Sequence, residues 1–171
     1  MGAQPVDADA YRQFMSSFPT GVVVVTTVGP DGAPCGLTCS SMTSVSLAPP
    51  VLSICLGAWS GTLAALRAHG WFAVNLLDAD GRSTAEQFAK RGVDHFQQVR
   101  WQASDVGDTP RLSEHVIGFA ACRVMAMQTI GDHTVVFGEV VASDHAGPGR
   151  PLLYGLRQFT AWPVSLPVAT S

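Results

Sequence analysis

Charge is scarce in this 171-residue sequence. Lys, Arg, Asp and Glu make up 13% of it, about half the ~25% common in soluble domains. Ten basic residues are set against thirteen acidic ones, a formal net of −3, which argues against a nucleic-acid partner. Long apolar runs are missing as well. The longest are Val22–Val25, Trp71–Val74 and Val116–Cys122, far short of the ~18 residues of a membrane span. The N-terminus has neither a basic nor an apolar signal region, and Val6 stands where a myristoylation motif needs Ser or Thr. No Cys-x-x-Cys occurs among Cys35, Cys39, Cys55 and Cys122, and the five histidines are scattered, which speaks against zinc or any other metal. Free thiols and no visible leader give the expectation of a cytoplasmic protein.

Apolar residues are plentiful, at 47%. They are enough for one domain over 1–171 with its own core, and neither repeats nor a linker divide the chain. Tyr11, Phe14, Met15 and Phe18 recur at helical spacing between Asp7 and Pro19. Thr20 to Val28 is β-branched at eight of nine positions, and Gly29-Pro30-Asp31-Gly32 then turns the chain into a second extended segment. Strands are expected at Val51–Leu56 and Trp71–Leu77, with a helix between them from Ser60 to His69. Ser83-x-x-Glu86 fits a capping box for a second short helix ending near Lys90-Arg91-Gly92. A polar, irregular stretch covers 102–115. Val116–Ile130 and His133–Ser143 form a hairpin about Gly131-Asp132, and a last strand runs over about 152–162. Six or seven strands joined mostly by turns point to a mainly β protein, a small barrel. The expected core is 11–162, with 1–7 and 163–171 flexible.

Three segments carry candidate chemistry. Thr38–Ser46 bears hydroxyls at six of nine positions. On a strand, Gly36, Thr38 and Ser40 would share a small, polar face that a ligand could approach, opposite Cys35, Leu37 and Cys39. Gly57-Ala58-Trp59-Ser60-Gly61-Thr62 closes a strand and opens a helix, whose unpaired N–H groups suit a phosphate. His133 follows a turn at the start of a strand, where it could orient a ligand or simply face solvent. Reactive sets are absent: no P-loop, no Gly-x-Gly-x-x-Gly, no Gly-x-Ser-x-Gly and no suggestive carboxylate pair. An enzyme built this way needs a cofactor to carry the chemistry.

Taken in order, several motifs resemble the flavin reductase-like family, the NAD(P)H:flavin oxidoreductase components of two-component monooxygenases. They are Phe18-Pro-Thr-Gly-Val22, the Gly36–Pro50 block with Thr43-Ser-Val-Ser-Leu47, Phe72-Ala-Val-Asn-Leu76, Phe88-Ala89, Gly92-Val-Asp-His-Phe96, Gly131-Asp-His133 and Gly138-Glu-Val140. The resemblance spans about 11–162 and implies a Greek-key, FMN-binding split barrel with a few short helices, acting as a homodimer. It also implies reduction of FMN or FAD by NADH or NADPH, with reduced flavin passed to a flavin-dependent monooxygenase. A flavin carrier without NAD(P)H turnover is the alternative.

Carried over by motif, Thr38, Cys39, Ser40 and Ser41 would line the ribityl-phosphate path. Ser44, Val45 and Ser46 would follow the isoalloxazine edge, and Thr20 would approach the ring. Trp59, Ser60 and Thr62 would meet the phosphate end. Phe88, Ala89 and Arg91 would close over the flavin, and His133 and Phe159 would lie on the nicotinamide side. Cys39-Ser40 departs from the Ala-Asn common in relatives. Arg157 and Phe159 replace the Gly and second Tyr of their Tyr-x-x-Gly-x-Tyr.

Overall fold

A computed structural model describes residues 2, 4–147 and 149–163, so nearly all of the expected flexible C-terminal segment lies outside it. The first element, α1 (Ala8–Ser16), starts where the Asp7 carboxylate accepts from Ala10 N–H at 2.8 Å. None of its side chains is buried.

The expected strand over Thr20–Val28 is broken in two. Val22 donates to Leu152 C=O and accepts from Leu77 N–H, so the chain steps there from one sheet into another. The pieces are β1 (Thr20–Gly21) and β2 (Val23–Val28). Val23 to Thr27 are all buried, because both faces of β2 are covered. Val23 and Val25 enter the barrel core, while Val22 and Val24 meet a second cluster outside it. The next strands are β3 (Pro34–Cys39), β4 (Thr43–Leu47) and β5 (Pro50–Gly57).

Ser60 caps α2 (Gly61–His69) as its composition suggested, and Gly70 ends it at φ 77°. β6 (Trp71–Leu77) follows, then α3 (Arg82–Ala89). The capping box does not form there. Gly81 is the N-cap without a side-chain bond, Ser83 lies inside the helix, and Glu86 pairs with Arg82 at 2.8 Å instead. A 3-10 turn covers His95–Gln98. The stretch expected to be irregular contains a small hairpin, β7 (Trp101–Ala103) with β8 (Pro110–Leu112). Buried Asn75 holds it, donating to Val24 C=O and Thr26 Oγ1 and accepting from Leu112 N–H at 2.9 Å. The long hairpin is β9 (Val116–Ile130) and β10 (His133–His145). The expected final strand is itself a hairpin, β11 (Leu152–Gly155) and β12 (Gln158–Ala161), turning at Leu156-Arg157.

Seven strands form one antiparallel sheet in the order β3-β2-β6-β9-β10-β5-β4. Its two edge strands, β3 and β4, are consecutive in sequence. Four residue steps separate Cys39 from Thr43 and reach at most ~14 Å. The sheet therefore curls until its edges approach, making a barrel open along a seam. Leu63 and Leu66 of α2 fill its interior with Ile54, Leu56, Phe72 and Val136. α3 covers the outside, where Ala85 and Phe88 pack with Phe96, Leu112 and Leu152. Among the described residues no helix is long and apolar enough to cross a membrane.

Candidate functional site at the barrel seam

The seam opens into a cavity of about 850 Å³ bounded by β3, the end of β5, the start of α2, the end of α3 with its following loop, and His133. Gly36 allows the helix side of this wall to exist. A Cβ there would lie 2.7 Å from Val25 C=O and 3.2 Å from the Phe88 ring. Thr38 fixes the same helix by donating from Oγ1 to Ala85 C=O at 2.6 Å. The small face of β3 is thus partly occupied by α3 rather than left wholly to a ligand. Leu37 and Cys39 face the barrel core as alternation requires.

The opposite wall is a helix N-terminus. Ser60 accepts from Leu63 N–H at 3.4 Å, and Ala64 N–H reaches Ser60 C=O. The N–H groups of Gly61 and Thr62 belong to the first turn, which lacks acidic residues. His133 pairs with Gly57 across the β10–β5 ladder, next to this turn. Its Nδ1–H donates to Asp132 at 2.7 Å, which leaves Nε2 for the cavity side. That hydrogen bond is the main reason the exposed Asp132 carboxyl lies below its ordinary value. The Trp59 ring meets His133 edge-on, with centroids 6.1 Å apart.

The third wall follows α3. Phe88 is buried and stacks on His95 at 5.3 Å and 20°. His95 Nε2–H donates to Lys90 C=O at 2.8 Å, fastening the loop across the cavity mouth. Lys90 and Arg91 border the cavity, and no Asp or Glu does. An electropositive rim, a helix N-terminus and a flat aromatic wall together suit a large planar ligand carrying phosphate.

Of the residues singled out by motif, the structure brings together Thr38, Cys39, Ser40, Ser41, Trp59, Ser60, Thr62, Phe88, Ala89, Arg91 and His133. It does not bring the others to the cavity wall. Thr20 pairs with Tyr154 in a separate three-stranded sheet. Ser44, Val45 and Ser46 lie on the free edge strand β4. Phe159 packs on Tyr154 at 5.0 Å beneath Arg82. Sequence reasoning missed Cys35, Cys55, Lys90 and Val93. Only folding brings these positions together, and the positive φ of Gly92, 71°, is the one local sign of the loop's turn. Among the described residues no cluster of three metal-ligating side chains occurs.

Residues 15–163 match the flavin reductase like domain family. The chain belongs to that family. A flavin reductase (NADH) of Kitasatospora aureofaciens is 47% identical over 163 residues, covering 93% of this chain and 84% of the relative. A flavin reductase (NADPH) of Lentzea aerocolonigenes is 48% identical over 163 residues, covering 94% and 93%. Among solved structures, the styrene monooxygenase flavin reductase of Pseudomonas putida S12 superposes with a TM-score of 0.82. It is 26% identical, with 91% of this chain and 99% of that one covered. The seven-stranded antiparallel barrel with short helices is the architecture expected of this flavin reductase family.

Proposed function

We propose that this protein is an NAD(P)H:flavin oxidoreductase that reduces FMN or FAD and supplies reduced flavin to a flavin-dependent monooxygenase. The observation that carries this reading is the seam cavity, free of acidic side chains, between the α2 N-terminus and the Phe88 wall. Relatives named for NADH and for NADPH are 47% and 48% identical, and the reading covers both donors. The monooxygenase partner is supported by the likeness to a reductase that serves one.

The residues present fit a flavin. The Gly61 and Thr62 N–H groups with Arg91 would hold the phosphate, and Thr38–Ser41 would run beside the ribityl chain. Ala89 and the His95 ring, backed by the buried Phe88, would give the ring a wall. His133, held by Asp132, would orient the nicotinamide amide without acting as acid or base. Nicotinamide and flavin supply the hydride chemistry themselves, so the protein's contribution is alignment and exclusion of water. Thr20, Ser44, Val45, Ser46 and Phe159 lie outside the wall of this cavity.

Two further assignments complete the proposal. The exposed apolar residues Tyr11, Phe14 and Phe18 of α1 and its flank support a homodimer. Light scattering should then give about 36 kDa, twice the 18.0 kDa chain. Four unpaired cysteines support a cytoplasmic location.

The deciding experiment follows absorbance of NADH and NADPH with added FMN or FAD. Steady consumption is expected. A chain that binds flavin but consumes neither nucleotide is a carrier, and the reductase reading fails. His133→Ala should raise the NAD(P)H KM or lower kcat and leave flavin affinity unchanged. Equal loss of flavin binding would remove His133 from the nicotinamide side.

A further inference from the structure

The loop after α3 separates two cavities rather than closing one. The seam cavity shares Cys35, Val93 and His95 with a second cavity of about 490 Å³ on the far side of that loop. An aromatic wall runs between them. Phe88 stacks on His95 at 5.3 Å, Phe96 meets Phe88 edge-on at 5.1 Å, and Trp101 meets Phe96 edge-on at 5.5 Å. Trp101 is 38% exposed at the far end.

This platform is fixed. Trp101 pairs with Leu112 across the β7–β8 hairpin, and Leu112 N–H is bonded to the fully buried Asn75. On the wall of the same cavity, Asp94 uses one carboxylate oxygen to accept from Phe96 N–H at 3.0 Å, and the exposed Gln97 side chain borders the same space. A flat ring with apolar faces and an exocyclic amine matches that combination: the faces stack, and the amine meets the second carboxylate oxygen or the amide. Arg91, on the seam-cavity side of this loop, makes no hydrogen bond or ion pair among the described residues.

We propose that the second cavity takes the adenylate end of a dinucleotide whose other half occupies the seam cavity, with Trp101 as stacking platform and Arg91 at the diphosphate. This rests on the flavin reading above and sharpens it, because FAD carries an adenylate and FMN does not. NAD(P)H carries one too, and the test separates the two sources.

The experiment is equilibrium titration of wild type, Trp101→Ala and Trp101→Phe with FMN, FAD and NADH separately, with circular dichroism confirming the fold of each. AMP serves as a competitor against wild type. Loss of one aromatic–base stack should weaken the affected dinucleotide roughly tenfold. Trp101→Phe should restore most of that affinity, and FMN affinity should stay unchanged. A loss confined to FAD, with AMP displacing FAD and not FMN, assigns the cavity to the flavin's adenylate. A loss confined to NADH assigns it to the nicotinamide nucleotide. The proposal is overturned if FMN weakens as much as FAD, or if no ligand responds to Trp101→Ala and AMP displaces nothing. Failure of wild type to bind FMN and FAD alike would instead remove the flavin reading, and this inference with it.

Discussion

The hydroxyl of Ser41 stands in for a missing strand partner of Cys55. Its Oγ accepts from Cys55 N–H at 2.9 Å and donates to Cys55 C=O at 3.0 Å. Thr43 faces Ser53 in the β4–β5 ladder, so Ser41 and Cys55 would be the next hydrogen-bonded rung. The chain has left the strand by then, and one side chain supplies both bonds. The same oxygen lies 3.1 Å from Cys39 Sγ. The seam is laced where the cavity begins.

Ser41→Ala should therefore strand two backbone groups of Cys55. We expect a loss of about 1–3 kcal/mol in denaturant unfolding, faster amide exchange at Cys55 and weaker flavin binding. An unchanged midpoint together with unchanged exchange would show that the seam holds without this hydroxyl.

The thiols offer a second check on the cavity. Burial, with a smaller contribution from Asp31, pushes Cys35 up to about 11, and burial pushes Cys122 up to about 12. Cys55 is also raised, by burial first and then by Cys39. Alkylation by iodoacetamide should be slow at neutral pH and accelerate as the solution becomes alkaline. Saturating FMN should protect Cys35 and Cys55, which border the cavity, and leave the sealed Cys122 unlabelled throughout. Labelling of Cys55 that ignores FMN would take it off the binding wall.

Much of this arrangement was legible from local chemistry. Trp71–Leu77, the Ser60 cap and the Gly131-Asp132 turn form where propensity and turn residues placed them. The failures have non-local causes. Nothing in a run of valines reveals that Val22 must answer Leu152 and Leu77 in different sheets. Ser83 and Glu86 have cap spacing, but α3 starts earlier, at Arg82. The motif residues of β4 and β12 lie off the cavity wall, which is made by β3, the end of β5, the start of α2 and the end of α3, and nothing local to those two strands announces it.

The β11–β12 turn carries removable strain. Leu156 and Arg157 both sit in the left-handed region, at φ 50° and 60°. That conformation costs about 1–2 kcal/mol for a side-chain-bearing residue, against roughly 0.5–1 kcal/mol of extra chain entropy for glycine. Arg157→Gly should raise the thermal midpoint by a few degrees. A lower midpoint would mean that the Arg157 side chain holds the turn in some other way.

Acid should weaken one identifiable contact. Arg111, stacked over Phe119 at 4.9 Å, bonds Asp144 and holds its carboxyl below the ordinary 3.8. The folded value is the lower one, so this contribution is complete above the unfolded value and disappears as pH falls through the folded one. Thermal melts from pH 6 down to about pH 2.5 should fall more steeply below about pH 4 for wild type than for Asp144→Asn. Parallel curves would show that the pair contributes nothing.

The first helix has a consequence for how the protein is handled. Nine residues with no buried side chain make a helix that is marginal in water by itself, although its end is tied by Leu156 N–H to Ser16 C=O. Where a second copy covers its aromatic stripe, mass action links its helicity to concentration. Diluting the protein to the nanomolar range used in rate assays would then unwind the segment that millimolar spectroscopy sees folded. Far-ultraviolet ellipticity at two concentrations would expose the difference before any kinetic comparison is made.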